Sequence, residues 1–156
     1  MHFNVDWTQG MEDVIKLFVA YFLALPVGLY REAEAHSVGV RTFPVVAMAS
    51  CGYVLLGTPS PSMSMEAQSR IIQGLVAGIG FIGGGAILKS ESRVHGVATA
   101  ASIWNTGVVG AAVAQNRYLM AAILAALNLF ALRVLLRVKR RLDDQPPANP
   151  DAPPKT

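Results

Sequence analysis

Between Arg70 and Lys89 run eighteen residues without a charge, IIQGLVAGIGFIGGGAIL, and six of them are glycine. As a helix rising about 1.5 Å per residue, this stretch is long enough for a hydrocarbon core roughly 30 Å thick. Gly74 and Gly78, then Gly80 and Gly84, stand four residues apart and strip side chains from one helix face. In lipid such a face lets another helix approach backbone to backbone. Gly74, Gly78, Gly80, Gly83 and Gly84 are therefore the expected helix-packing residues.

Charged residues make up 15% of the chain, against about 25% in soluble domains. With 53% hydrophobic residues, the chain has more apolar surface than a soluble interior of this size can hide. Gaps between charges divide it into five apolar segments, near 13–30, 42–57, 71–88, 95–114 and 118–138. The middle three are long enough to span. The first and last span only if Lys16, Arg133 and Arg137 snorkel to the headgroups; a four-span arrangement with the first segment on the surface is the alternative. Pro26 removes a backbone bond from the first helix and is expected to kink it. The first fifteen residues carry Asp6, Glu12 and Asp13 but no Lys or Arg, unlike a cleavable signal, so the first segment is expected to stay as an anchor.

The loops set the orientation. Arg31, Arg41, Lys89, Arg93 and the cluster Arg133, Arg137, Lys139, Arg140, Arg141 fall on one side, and Arg70 and Arg117 on the other. The positive-inside rule then puts the N-terminus outside and the C-terminus in the cytoplasm. Trp7, Tyr53 and Tyr118 fall near the outer ends, where amphipathic rings favour the interface. The basic cluster suits anionic lipid headgroups; without an aromatic residue for base stacking it does not point to nucleic acid. The expected fold is an all-α, polytopic membrane bundle of about five transmembrane helices over residues 1–142. Residues 143–156, with five prolines, are expected to be a disordered cytoplasmic tail.

Chemistry-bearing motifs are few. Gly78-Ile-Gly-Phe-Ile-Gly83 matches a dinucleotide-binding pattern, but that pattern needs a preceding strand and a later carboxylate. These glycines lie inside a bilayer-length apolar run, and 97–106 holds no carboxylate. His2, His36 and His95 form no ligand-spaced pair, Cys51 is alone, and no serine or cysteine sits in a nucleophile turn. No enzyme activity, cofactor or metal site is expected. The interior of the spans offers no carboxylate, which argues against a solitary Mg²⁺ pore; a hydrated ion crossing an oligomeric channel stays open. The fourth segment carries Thr99, Ser102, Asn105 and Thr106. These bond across or along helices or else line a water path, and packing is the simpler role. Asn128 and Gln73 are similar cases. The charged group Arg31, Glu32 and Arg41, with Thr42, is either a plain interfacial loop or a surface that meets a partner.

Four elements together resemble the MgtC/SapB family of membrane proteins. Gly28-Leu-Tyr-Arg-Glu32 is similar to its Gly-x-Glu-Arg-Glu element, and Ser37-Val-Gly-Val-Arg-Thr42 to its Ala-Gly-Leu-Arg-Thr-His loop. The glycine-rich run resembles its Gly-Ile-Gly-Phe-Leu-Gly-Ala-Gly helix. Val94-His-Gly-Val-Ala-Thr-Ala-Ala101 followed by Trp104 resembles Val-x-Gly-Leu-Thr-Thr-Ala-Ala-x-x-Trp. Phe43 stands in place of the family's His, Tyr30 in place of a Glu, Ala98 in place of a Thr and Gly84 in place of an Ala. The resemblance implies a multi-pass bacterial inner-membrane protein linked to growth at low Mg²⁺ and, in pathogens, to survival inside host cells. It also implies action on other membrane machines, with the ATP synthase or a Mg²⁺ transporter as candidate partners; besides the lipid bilayer, a homo-oligomer is a separate expectation. The expected function is an accessory or regulatory factor in Mg²⁺ homeostasis and membrane energetics; a small oligomeric ion or solute permease is the alternative.

Overall fold

Where charges thin out the backbone turns helical, since in hydrocarbon each peptide group must find its partner within the segment. The computed structural model describes residues 7–35, 39–57, 64–90 and 93–143, and their side chains except those of 34, 35, 90, 93 and 135–143. The helices are α1 (Trp7–Ala35), α2 (Thr42–Leu56), α3 (Met65–Gly85), α4 (Val97–Ala114) and α5 (Tyr118–Asp143). The all-α class holds, with one addition. Leu88–Ser90 (β1) and Arg93–His95 (β2) form an antiparallel hairpin between α3 and α4, with Leu88 opposite His95 and Lys89 opposite Val94.

This hairpin corrects the account of the glycine-rich run. The eighteen uncharged residues are not one helix. Three consecutive glycines, Gly83 to Gly85, weaken the helix, which ends at Gly85, and Leu88 joins the hairpin. Ser64 caps the other end, its hydroxyl accepting from the Ala67 amide at 3.2 Å. The expected span lengths also change. α1, with 29 residues, and α4, with 18, are long and apolar enough to cross a membrane, whereas α2 has only 15. Charges at helix ends do not stop backbone hydrogen bonding, so the gaps between them underestimate α1. α1 continues through Pro26. The linker 58–63 and the tail after Asp143 lie outside the described residues.

The centre of the bundle is α4, which packs against all four other helices. One core cluster is built from small residues: Ala20 and Ala24 of α1, Ala47 and Cys51 of α2, Val109, Ala112 and Val113 of α4, and Ala121 and Ala125 of α5. A second joins Val27, Phe43, Val46, Ile79, Ile103 and Leu132. The outside is apolar too. Phe18, Phe22, Phe81, Leu119, Leu127 and Phe130 are all more than half exposed. So much exposed apolar surface, together with two helices of spanning length, fits a bundle solvated by lipid.

Close approach occurs where a side chain is missing. A Cβ at Gly110 would overlap the Ala47 carbonyl oxygen and lie 3.0 Å from the Cys51 amide, so α4 rests on the backbone of α2. A Cβ at Gly107 would overlap the Ile79 side chain of α3. Gly96, the N-cap of α4, has φ +88° and faces the Ala86 carbonyl oxygen, which leaves no room for another residue. At Gly78, by contrast, a Cβ meets nothing within 4 Å. Gly110→Ala is expected to destabilise the bundle by about 3 kcal/mol through overpacking against rigid backbone. Gly78→Ala is expected to be neutral or to stabilise by up to about 1 kcal/mol through helix propensity. Unfolding in a mild detergent, followed by circular dichroism, distinguishes the two.

Candidate functional site

The end of the bundle formed by the C-terminus of α1 and the N-termini of α2 and α4 gathers most of the unusual side chains. After α1 the chain folds back on itself. A Cβ at Gly28 would sit 3.1 Å from the Gly39 carbonyl oxygen, and one at Gly39 would sit 2.6 Å from the Glu32 Cβ. The Val40 amide donates to Glu32 Oε2 at 3.2 Å, which ties the loop to the helix. Arg41 is exposed at the N-cap of α2, and Thr42 begins that helix half-buried. Phe43, where the resembling family has His, is fully buried in the second core cluster.

Arg31 does not remain in the loop. It is 8% exposed, and its Nη2 donates to Thr99 Oγ1 in the first turn of α4. Its Nε is buried with no hydrogen-bond partner. Among the described residues the only ion pair is Arg70 with Glu66, an exposed pair on α3 at 2.7 Å, so no described carboxylate answers Arg31. Beside it, the Tyr30 hydroxyl donates to the Leu132 carbonyl at 3.4 Å, and the Arg133 guanidinium stands 5.4 Å from the Tyr30 ring centroid, within cation–π range. Thus Tyr30, where the family has Glu, joins α1 to α5.

From Thr99 a line of polar groups runs along α4. Ser102 Oγ donates to Asn128 Oδ1 at 2.9 Å, and Asn128 Nδ2 donates back to the Ser102 carbonyl at 3.4 Å. Asn105 Nδ2 donates to the Leu124 carbonyl at 3.2 Å, while the Thr106 hydroxyl turns to the Ser102 carbonyl of its own helix at 2.8 Å. Thr99, Ser102 and Thr106 are buried, and Asn105 is half-buried. Each of these groups bonds to a helix, and most of the bonds fasten α4 to α5. Among the described residues no three His, Cys, Asp or Glu side chains gather.

The glycines of α3 do not form one face: at about 3.6 residues per turn, Gly74 and Gly78 share one side of the helix and Gly80 and Gly84 lie about 120° round it. A Cβ at Gly74, Gly78, Gly80 or Gly84 meets nothing within 4 Å, whereas one at Gly83 lies 3.3 Å from the Ala100 carbonyl oxygen. Within the chain, then, close packing is made by Gly83, Gly107 and Gly110, and four of the five expected glycines are uncovered. Nothing in the sequence sets Gly107 and Gly110 apart from the other small residues of α4. Gly74 and Gly78 border an apolar groove of about 520 Å³ between α2 and α3, with Val45, Ala49 and Tyr53 on its other wall.

The four resembling elements meet in space. Gly28 touches Gly39, Arg31 reaches Thr99, Gly83 approaches Ala100, and Gly96 faces Ala86. A family model described as the MgtC family matches residues 17–141. Protein SrpB of Synechococcus elongatus is 32% identical over 147 residues, covering 86% of this chain and 79% of that protein. Protein MgtC of Salmonella typhi is 27% identical, covering 89% of this chain and 58% of its own. YhiD of Escherichia coli K12, whose name proposes a magnesium transporter, is 28% identical, covering 84% of this chain and 64% of its own. The chain thus spans less than two thirds of the last two relatives. No solved structure matches it. The chain belongs to the MgtC family.

Proposed function

We propose that this protein is a non-enzymatic accessory or regulatory factor of the bacterial inner membrane. Its task is Mg²⁺ homeostasis and membrane energetics, carried out through contacts with other membrane proteins. One observation carries the reading: a Cβ at Gly74 or Gly78 of α3 would meet nothing within 4 Å, and this pair borders an apolar groove. A row of bare backbone at four-residue spacing suits a partner helix, because close packing replaces the absent hydrophobic drive between helices in lipid. The name of YhiD and the family resemblance support the link to Mg²⁺. Candidate partners by resemblance are the ATP synthase, a Mg²⁺ transporter or a second copy. The hydroxyl line of α4 supports packing rather than conduction, since its groups are bonded to α1, α4 and α5.

The basic residues favour an outside N-terminus and a cytoplasmic C-terminus, and reporter tags on the two ends are expected to face opposite compartments. Gly78→Leu is expected to leave the monomer folded and to abolish crosslinked partner complexes in native membranes; unchanged complexes would sink the assignment of this face. Proteoliposomes containing only this protein are expected to show no Mg²⁺ flux, while its deletion slows growth at low Mg²⁺. Robust flux would make the protein a permease instead.

A further inference from the structure

We infer that the buried guanidinium of Arg31 and the N-terminus of α4 together form a binding site for a single phosphate group. The two features face each other and both are electropositive. Thr99, the acceptor of the Arg31 bond, lies in the first turn of an 18-residue helix. The first amides of a helix have no intrahelical acceptor and carry the positive end of its dipole. Here the N-cap is Gly96, which makes no side-chain cap. An arginine driven into that end is placed against its own sign of charge.

Nothing described neutralises it. Arg31 is more than nine-tenths buried, its Nε has no partner, and no described carboxylate lies within ion-pair distance. The neighbouring Glu32 carboxylate is exposed and accepts from the Val40 amide instead. Arg133, 5.4 Å from the ring of adjacent Tyr30, adds a second cation at the same end. A buried guanidinium with an idle donor is costly, and an oxyanion removes that cost while also engaging free helix amides. Phosphate suits this donor set better than a planar carboxylate, because its oxygens diverge toward the fork, the amides and the Thr99 hydroxyl at once. The site lies where the C-terminus of α1 meets the N-terminus of α4, and a lipid phosphodiester or free phosphate would each supply the group.

The test uses the full chain in dodecyl maltoside, which carries no phosphate, with thermal unfolding followed by Trp7 and Trp104 fluorescence. One arm adds inorganic phosphate and the other adds phosphatidylglycerol in phosphate-free buffer. A saturable rise in melting temperature in either arm supports the site, and the arm that responds identifies the source. Arg31→Lys, which keeps the charge but loses Nε and the fork, is expected to weaken the half-saturating concentration on the order of tenfold or more. Arg31→Met is expected to abolish the response, and if that variant does not fold the Lys variant decides. The inference is overturned if neither additive stabilises the native chain, which would leave a buried water on Nε. A response undiminished in Arg31→Lys would overturn it equally, placing the lipid on the basic end of α5. The third contrary result is that Glu34→Gln destabilises the chain as Arg31→Met does, without any phosphate response. An internal ion pair with Glu34, whose side chain lies outside the described residues, would then hold Arg31.

Discussion

The seating of Gly110 on the Ala47 carbonyl oxygen sets the geometry of the bundle. In water, burying apolar side chains would hold α2 to α4. In hydrocarbon that drive is absent, and what remains is dispersion between surfaces that touch closely. The absence of side chains at Gly107 and Gly110, with alanines at 20, 24, 47, 112, 121 and 125, lets the backbones come near enough for such contact to accumulate. A single added carbon at position 110 would separate the two helices and, through α4, shift every other one.

Polar groups provide the second kind of fastening. A hydroxyl or amide turned toward lipid would have no partner, so Ser102, Asn105 and Asn128 are held between α4 and α5. Helix α4, which carries Thr99, Ser102, Asn105 and Thr106, is also the most buried helix among the described residues. These polar groups thus sit inside while large apolar side chains face outward, the reverse of the usual order in soluble proteins. The same logic places Tyr30 on Leu132 and carries Arg31 inward to Thr99.

Composition and charge gaps were enough to make the helical class and the number of helices legible. They misjudged the ends, because backbone hydrogen bonding continues past a charged residue and stops at a run of glycines. The hairpin after Gly85 gives no periodic signal in three residues per strand, so it stayed hidden. The polar line was legible as a face of α4, yet its partners were not, since Asn128 and Leu124 lie more than a helix away in sequence. The greatest gap concerns Arg31. It stands in a stretch rich in charge and reads as interfacial, and only the packing of α1 against α4 shows that it is enclosed. Glycine spacing, finally, identifies a face that is bare without saying what it faces.

The thin attachment of α3 has a thermodynamic consequence. Of its 21 residues only Ile79 and Gly83 are buried, so the helix contributes little to the cooperativity of the whole. Such an element detaches at a free energy well below that of global unfolding. Amide exchange would reach α3 before it reaches α4, and variation along this helix can accumulate without endangering the remainder. The bundle is therefore a firm four-helix body with a fifth rod held to it mainly along α4, where Ile79 meets Gly107 and Gly83 meets Ala100.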